Sequence, residues 1–142
     1  MTALTFAAAQ TIVATAHDHA RTQNLKPLAF VVLDAGGHLV AAGREDGATF
    51  FRTEIAKAKA TCALGMGVDT AVTAERAKGN PTFYAGIVTT LGGDVVFSPG
   101  GVLIHDADGV VIGAVGVSGD TGEADAACAN VGIKAAGLIG SN

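Results

Sequence analysis

From Phe97 to Asp125 the chain reads FSPGGVLIHDADGVVIGAVGVSGDTGEAD, a strand-forming stretch broken repeatedly by glycine. Glycine is costly inside a strand, because it loses more backbone freedom on folding than any other residue and packs nothing. A segment that accepts this cost several times needs its backbone to come close to something. Two arrangements meet that need. The bare N–H groups of Ser98-Pro99-Gly100-Gly101, and of the Gly116–Gly119 turn into a following helix, can line a cavity and favour an anion. Alternatively, ordinary turns and small residues let a helix pack directly against the strand.

The rest of the chain supplies the elements around this stretch. Leu4, Ala8, Ile12, Ala16 and Ala20, joined by Ala9 and Val13, form a helical stripe that ends near Asn24, before Pro27. LAFVVLD (Leu28 to Asp34), AGGH and LVAAGRED (Leu39 to Asp46) read as a hairpin whose strands are apolar on both faces, so both faces need cover. Alternation puts Val40, Ala42, Arg44 and Asp46 on one face of its second strand. A second helix runs from about Phe50 to Met66, with a stripe of Phe51, Ile55, Ala58 and Cys62. Lys59 and Arg52 lie on its flank, and Lys57 points to solvent.

A short helix from Asp69 closes at Gly79-Asn80 before Pro81. A further short helix or irregular stretch carries Phe83, Tyr84 and Ile87, and two or three strands follow. The last helix begins near Thr121, where Asp120 and Glu123 have capping-box spacing, and Val131, Ala135 and Leu138 continue its apolar face. Hairpins make the sheet antiparallel, and helices on both sides make this an α+β domain of three layers, a single domain over 1–142.

Composition narrows the function classes. With 142 residues, 49% hydrophobic and 15% charged, the chain can bury a core without staples. Six Phe, one Tyr and no Trp mean that small side chains do the close packing. A net charge of −4 without any basic run argues against a nucleic-acid partner. No stretch has the apolar length of a membrane span, and the N-terminus lacks the basic start of a targeting segment, so the expectation is a cytoplasmic protein. Cys62 and Cys128 have no metal-ligand spacing and read as buried small hydrophobes, with a pairing brought about by the fold left open.

Four motifs then recur in order: D-x-G-G-x-L at Asp34–Leu39, R-x-D-G-A at Arg44–Ala48, P-G-G at Pro99–Gly101, and I-G-A-x-G-V-S-G-x-x-x-x-x-D at Ile112–Asp125. With IAKAKATCA between them, the chain from about Phe6 to Leu138 resembles the GlcG/HbpS-like family, also seen as the C-terminal domain of PduO proteins. The resemblance implies a profilin-like α-β-α sandwich that assembles into homo-oligomers, often octamers. It implies haem as the commonest cofactor, with other members standing beside glycolate or diol catabolism genes.

Haem calls for an axial ligand, usually His. His38 in the hairpin turn and His105 near a strand end read as solvated turn residues. His17 and His19 resemble the helix position from which PduO-type domains supply the axial histidine. Arg44 and Asp46, followed by Gly47, end a strand on one face, where Arg44 could clamp a carboxylate or pair with Asp46. Lys59 reads equally as a snorkelling stem or as a cation on a pocket wall. Asp125 would orient Arg44 or Lys59, or complement the helix dipole.

The expected pocket gathers Arg44, Asp46, Gly47, Lys59, Pro99, Gly100, Gly101, Gly116, Ser118 and Gly119, with His17 and His19 as axial candidates for haem. If the pocket were instead catalytic, Arg44, Asp46, Lys59 and Asp125 would be its working residues, acting on a small hydroxy or keto acid. No metal site beyond a haem iron is expected.

Overall fold

In the computed structural model, which describes residues 3–141, helices α1 (Phe6–Thr22), α2 (Phe51–Met66), α3 (Thr70–Gly79), α4 (Pro81–Thr90) and α5 (Gly122–Ala135) surround strands β1 (Ala29–Asp34), β2 (Leu39–Arg44), β3 (Gly101–His105) and β4 (Val111–Ser118). The sheet runs β2-β1-β4-β3 and every pairing is antiparallel. Two strands, β3 and β4, follow the helices, and the stretch around Phe83 is the regular helix α4. The result is a profilin-like α+β sandwich, with α1 and α5 on one face of the sheet and α2 on the other. Among the described residues no helix is long and apolar enough to cross a membrane.

Strand alternation divides the core in two. Phe30, Val32, Val102, Ile104, Val115 and Val117 point into the α1/α5 layer, against Ile12, Ala16, Cys128 and Ile133. Ala29, Val31, Leu33, Leu103 and Ala114 point into the α2 layer, against Ala56, Ala60 and Ala63. Cys62 on α2 and Cys128 on α5 are both free and buried, and the sheet lies between their helices. Burial raises the Cys62 thiol, and pushes that of Cys128 up to about 12 with help from nearby carboxylates, so both stay protonated.

The glycines of β3 and β4 serve the α2 layer. Gly101 and Gly116 are directly paired, and a Cβ at Gly116 would sit 1.7 Å from the Ala56 carbonyl oxygen. A Cβ at Gly101 would sit 2.3 Å from the Lys59 carbonyl oxygen. The two bare residues form a flat platform on which the α2 backbone rests. This packing also corrects the expected α2 stripe. Phe51 is exposed and Ile55 half-buried, because only alanine fits against the platform, so Ala56, Ala60 and Ala63 face it instead.

On α5 the buried face is Asp125, Cys128, Ala129, Gly132 and Ile133 rather than Val131 and Ala135, and the helix stops before Leu138. Here too glycine decides the packing: a Cβ at Gly132 would lie 2.6 Å from the Ile12 carbonyl oxygen, so α1 and α5 touch through backbone.

The two sheet edges differ. The outward N–H groups of β3 are all occupied: Gly101 N donates to Thr70 Oγ1 at 2.8 Å, Leu103 N to Asp69 Oδ1 at 2.8 Å, and His105 N to Ile139 O at 2.8 Å. Such sealing prevents edge-to-edge pairing. Strand β2 forms the other edge, and α1 lies across its inner face.

Candidate functional site: the groove between α1 and β2

A groove of about 930 Å³ runs between α1 and β2, larger than the grooves of about 580 Å³ beside α4 and about 450 Å³ beside the start of α2. Its α1 wall is Phe6, Gln10, Val13, Ala14 and His17, which helical spacing places along one side of the helix. The opposite wall is the whole of β2 with Glu45 and Asp46, and Phe30 of β1 lines it too. Gly43 keeps the strand close to α1, since a Cβ there would lie 3.3 Å from a Val13 methyl. The lining is mainly apolar, with a few polar groups at one end, as in small-molecule sites.

Among those polar groups, His17 is held by Glu45. Glu45 follows β2 directly, and its backbone N–H donates to Leu28 O at 2.8 Å, extending the pairing with the β1 side. Its side chain is only 5% exposed. The carboxylate accepts from Arg21 Nε at 3.0 Å and from Leu28 N at 2.7 Å, and it contacts His17 Nδ1. An ionised carboxylate can only accept, so in the neutral imidazole this contact places the proton on Nδ1 and leaves Nε2 with its lone pair. The His17 side chain is about half exposed, at 49%. His19, two residues on, is turned to another side of α1 and does not line the groove.

Arg44 and Asp46 line the same groove, but Arg44 makes no ion pair with Asp46. One arm of the guanidinium, NH1, donates to Ala48 O at 2.5 Å and closes the turn through Gly47. The other expected site residues lie elsewhere. Lys59 is buried, and its Nζ donates to Val117 O at 2.9 Å and to Asp125 Oδ2 at 3.0 Å. It therefore neither snorkels nor faces a pocket. Gly100 leaves room for it, since a Cβ there would lie 2.8 Å from Lys59 Nζ.

Because α2 and α5 cover opposite faces of the sheet, the Lys59–Asp125 pair ties the two layers together at the end of β4. Burial holds the Asp125 carboxyl above its usual range, against the pull of the Lys59 ammonium. Gly101 and Gly116 are covered by α2, Ser118 is buried, and Pro99 packs against Gly122. Lys59, Pro99, Gly100, Gly101, Gly116, Ser118 and Gly119 are all absent from the groove lining.

The α5 N-terminus is likewise occupied by the chain itself. Thr121, rather than Asp120, caps it, accepting from Ala124 N, while Asp120 accepts from Thr121 N and Lys26 N and Asp125 accepts from Asp120 N. Those backbone N–H groups hold the Asp120 carboxyl below its usual range.

The family described as haem degrading protein HbpS-like matches residues 4–134. The chain belongs to this HbpS-like family. No curated protein matches it. Among solved structures, this HbpS-like chain is similar to PduOC in its haem complex, at 28% identity with a TM-score of 0.87 over 96% of this chain and 97% of that one. It is similar to the Klebsiella pneumoniae protein ORFY, at 28% identity and a TM-score of 0.86 over 96% and 93%. It is similar to HbpS itself, at 26% identity and 0.80 over 94% and 90%.

Sequence reasoning missed Glu45 and Arg21. The R-x-D reading kept Arg44 and Asp46 and assigned no role to the residue between them. Alternation holds the missing signal: Glu45 shares a face with Ala41 and Gly43, that face needs a helix over it, and a covered carboxylate needs partners. His17 and Arg21 stand one helical turn apart on α1 and supply them.

Proposed function

We propose that this protein binds haem in the α1–β2 groove, with His17 as the axial ligand through Nε2. The observation that carries the reading is a histidine lining an apolar groove with its Nδ1 already engaged by a buried carboxylate, the arrangement typical of metal-ligating imidazoles. The exposed Phe6 gives the groove aromatic surface, and the small residues Ala14, Ala41, Ala42 and Gly43 leave room for a flat ring. Similarity to PduOC in its haem complex supports the same ligand. When bound, the haem iron would supply redox and ligand-exchange chemistry.

Ferric haem titrated into the protein should give a saturable Soret band. His17→Ala should weaken binding at least about tenfold and change the band, while His19→Ala leaves both unaltered. Saturable binding that is the same in His17→Ala would remove the ligand assignment, and the lack of any Soret change in the wild type would remove haem.

The reading extends to a homo-oligomer, supported by large apolar side chains left exposed at Phe50, Phe51, Phe83 and Leu91. Sedimentation at micromolar concentration should show several chains per particle. A clean monomer would overturn the assembly and leave the groove's role standing.

A further inference from the structure

The geometry points to Glu45 as the residue that positions and strengthens His17 as a ligand, a role that rests on the haem reading. Four observations meet at this carboxylate. It is 5% exposed at the side chain, so water competes little for its oxygens. Arg21 reaches both of its oxygens, Nε to Oε2 at 3.0 Å and NH2 to Oε1 at 3.2 Å, and so fixes the plane of the group. The Leu28 N–H, at the entry to β1, holds Oε1 at 2.7 Å and anchors the carboxylate to the sheet rather than to a loop. The same Oε2 that meets Arg21 meets His17 Nδ1.

The partners are thus arranged in a line from sheet to helix to groove, and the last of them is the ring lining the groove. Arg21 is tethered as well, its NH2 donating to Leu25 O at 2.7 Å.

The consequence is chemical as well as geometric. A carboxylate on Nδ1–H selects the tautomer whose Nε2 lone pair is free, and it draws the proton away from the ring, giving the imidazole partial imidazolate character. A more electron-rich ligand stabilises ferric iron over ferrous. Glu45 therefore lowers the reduction potential of the bound haem and tightens ferric binding. Arg21 tempers this by sharing the same oxygen.

The conservative variant Glu45→Gln separates this role from a structural one, since the amide can still accept from Leu28 N. In the haem-free protein, 15N shifts of the His17 ring should report an Nδ1–H tautomer in the wild type and a mixture in Glu45→Gln. In the haem-loaded protein, Glu45→Gln should raise the reduction potential, lower the ferrous iron–histidine stretching frequency, and weaken ferric haem binding about 10–100-fold.

A lowered melting temperature with unchanged potential, stretching frequency and tautomer would overturn the assignment and leave Glu45 a structural anchor. If His17→Ala binds haem as the wild type does, the haem reading itself fails. If His17→Ala loses the band while Glu45→Gln matches the wild type throughout, only the positioning role fails.

Discussion

Gly116→Ala should leave little folded protein. The added methyl would stand 1.7 Å from the Ala56 carbonyl oxygen and 3.0 Å from the Ala60 amide nitrogen, both helix backbone that cannot rotate aside. Relief requires lifting α2 off the sheet, which also uncovers Ala29, Val31, Leu33 and Ala114. Overpacking a core costs about 1–3 kcal/mol where side chains can shift, and this site belongs at or above the upper end. Thermal unfolding should show a fall of about 10 °C or more, or no soluble folded protein. Gly86→Ala in α4 is the control, because its Cβ meets nothing within 4 Å. It should gain about 0.5–1 kcal/mol. Equal behaviour of the two variants would contradict the platform.

Breaking the Lys59–Asp125 pair should cost nearly as much. Lys59→Met leaves the Asp125 carboxyl buried without its cation, a loss of about 3–5 kcal/mol at neutral pH. The deficit should depend on pH in a definite direction. Burial already raises the Asp125 carboxyl above its ordinary value in the folded protein, and removing Lys59 removes an opposing cause. A group whose folded-state pKa lies above its unfolded one carries no penalty below the unfolded value and a growing one as pH rises through the folded value. Denaturant unfolding of Lys59→Met should therefore approach the wild type as pH falls from 7 towards 5. Adding Asp125→Asn should recover most of the loss at pH 7, since the amide oxygen can still accept from Asp120 N. A single variant with wild-type stability at pH 7 would show that the two layers are not joined there.

What could be read from the sequence follows from the range of each interaction. Helices and hairpins rest on local spacing, so α1, the β1–β2 hairpin and the start of α5 emerged from apolar periodicity and turn residues. The glycines signalled close approach, but the approaching group is the α2 backbone, which only the register Gly101↔Gly116 beneath Ala56–Ala60 reveals. Lys59 read equally as a snorkelling stem or a pocket-wall cation because helical spacing reports a face and not what lies over it. Its neighbour Asp125 is 66 positions away in the chain, and the sheet end brings them together. Glu45 lay within a motif whose flanking charges drew attention from it, although it alone of the three is buried against α1. His17 was separable from His19 only once β2 was placed beside the helix.

The most direct test of the central claim is a crystal structure of the protein with ferric haem bound. The account predicts the porphyrin between α1 and β2, its iron on His17 Nε2, its face near Phe6, and Glu45 still on Nδ1. Haem in another groove, or iron ligated by His19, His38 or His105, would contradict it.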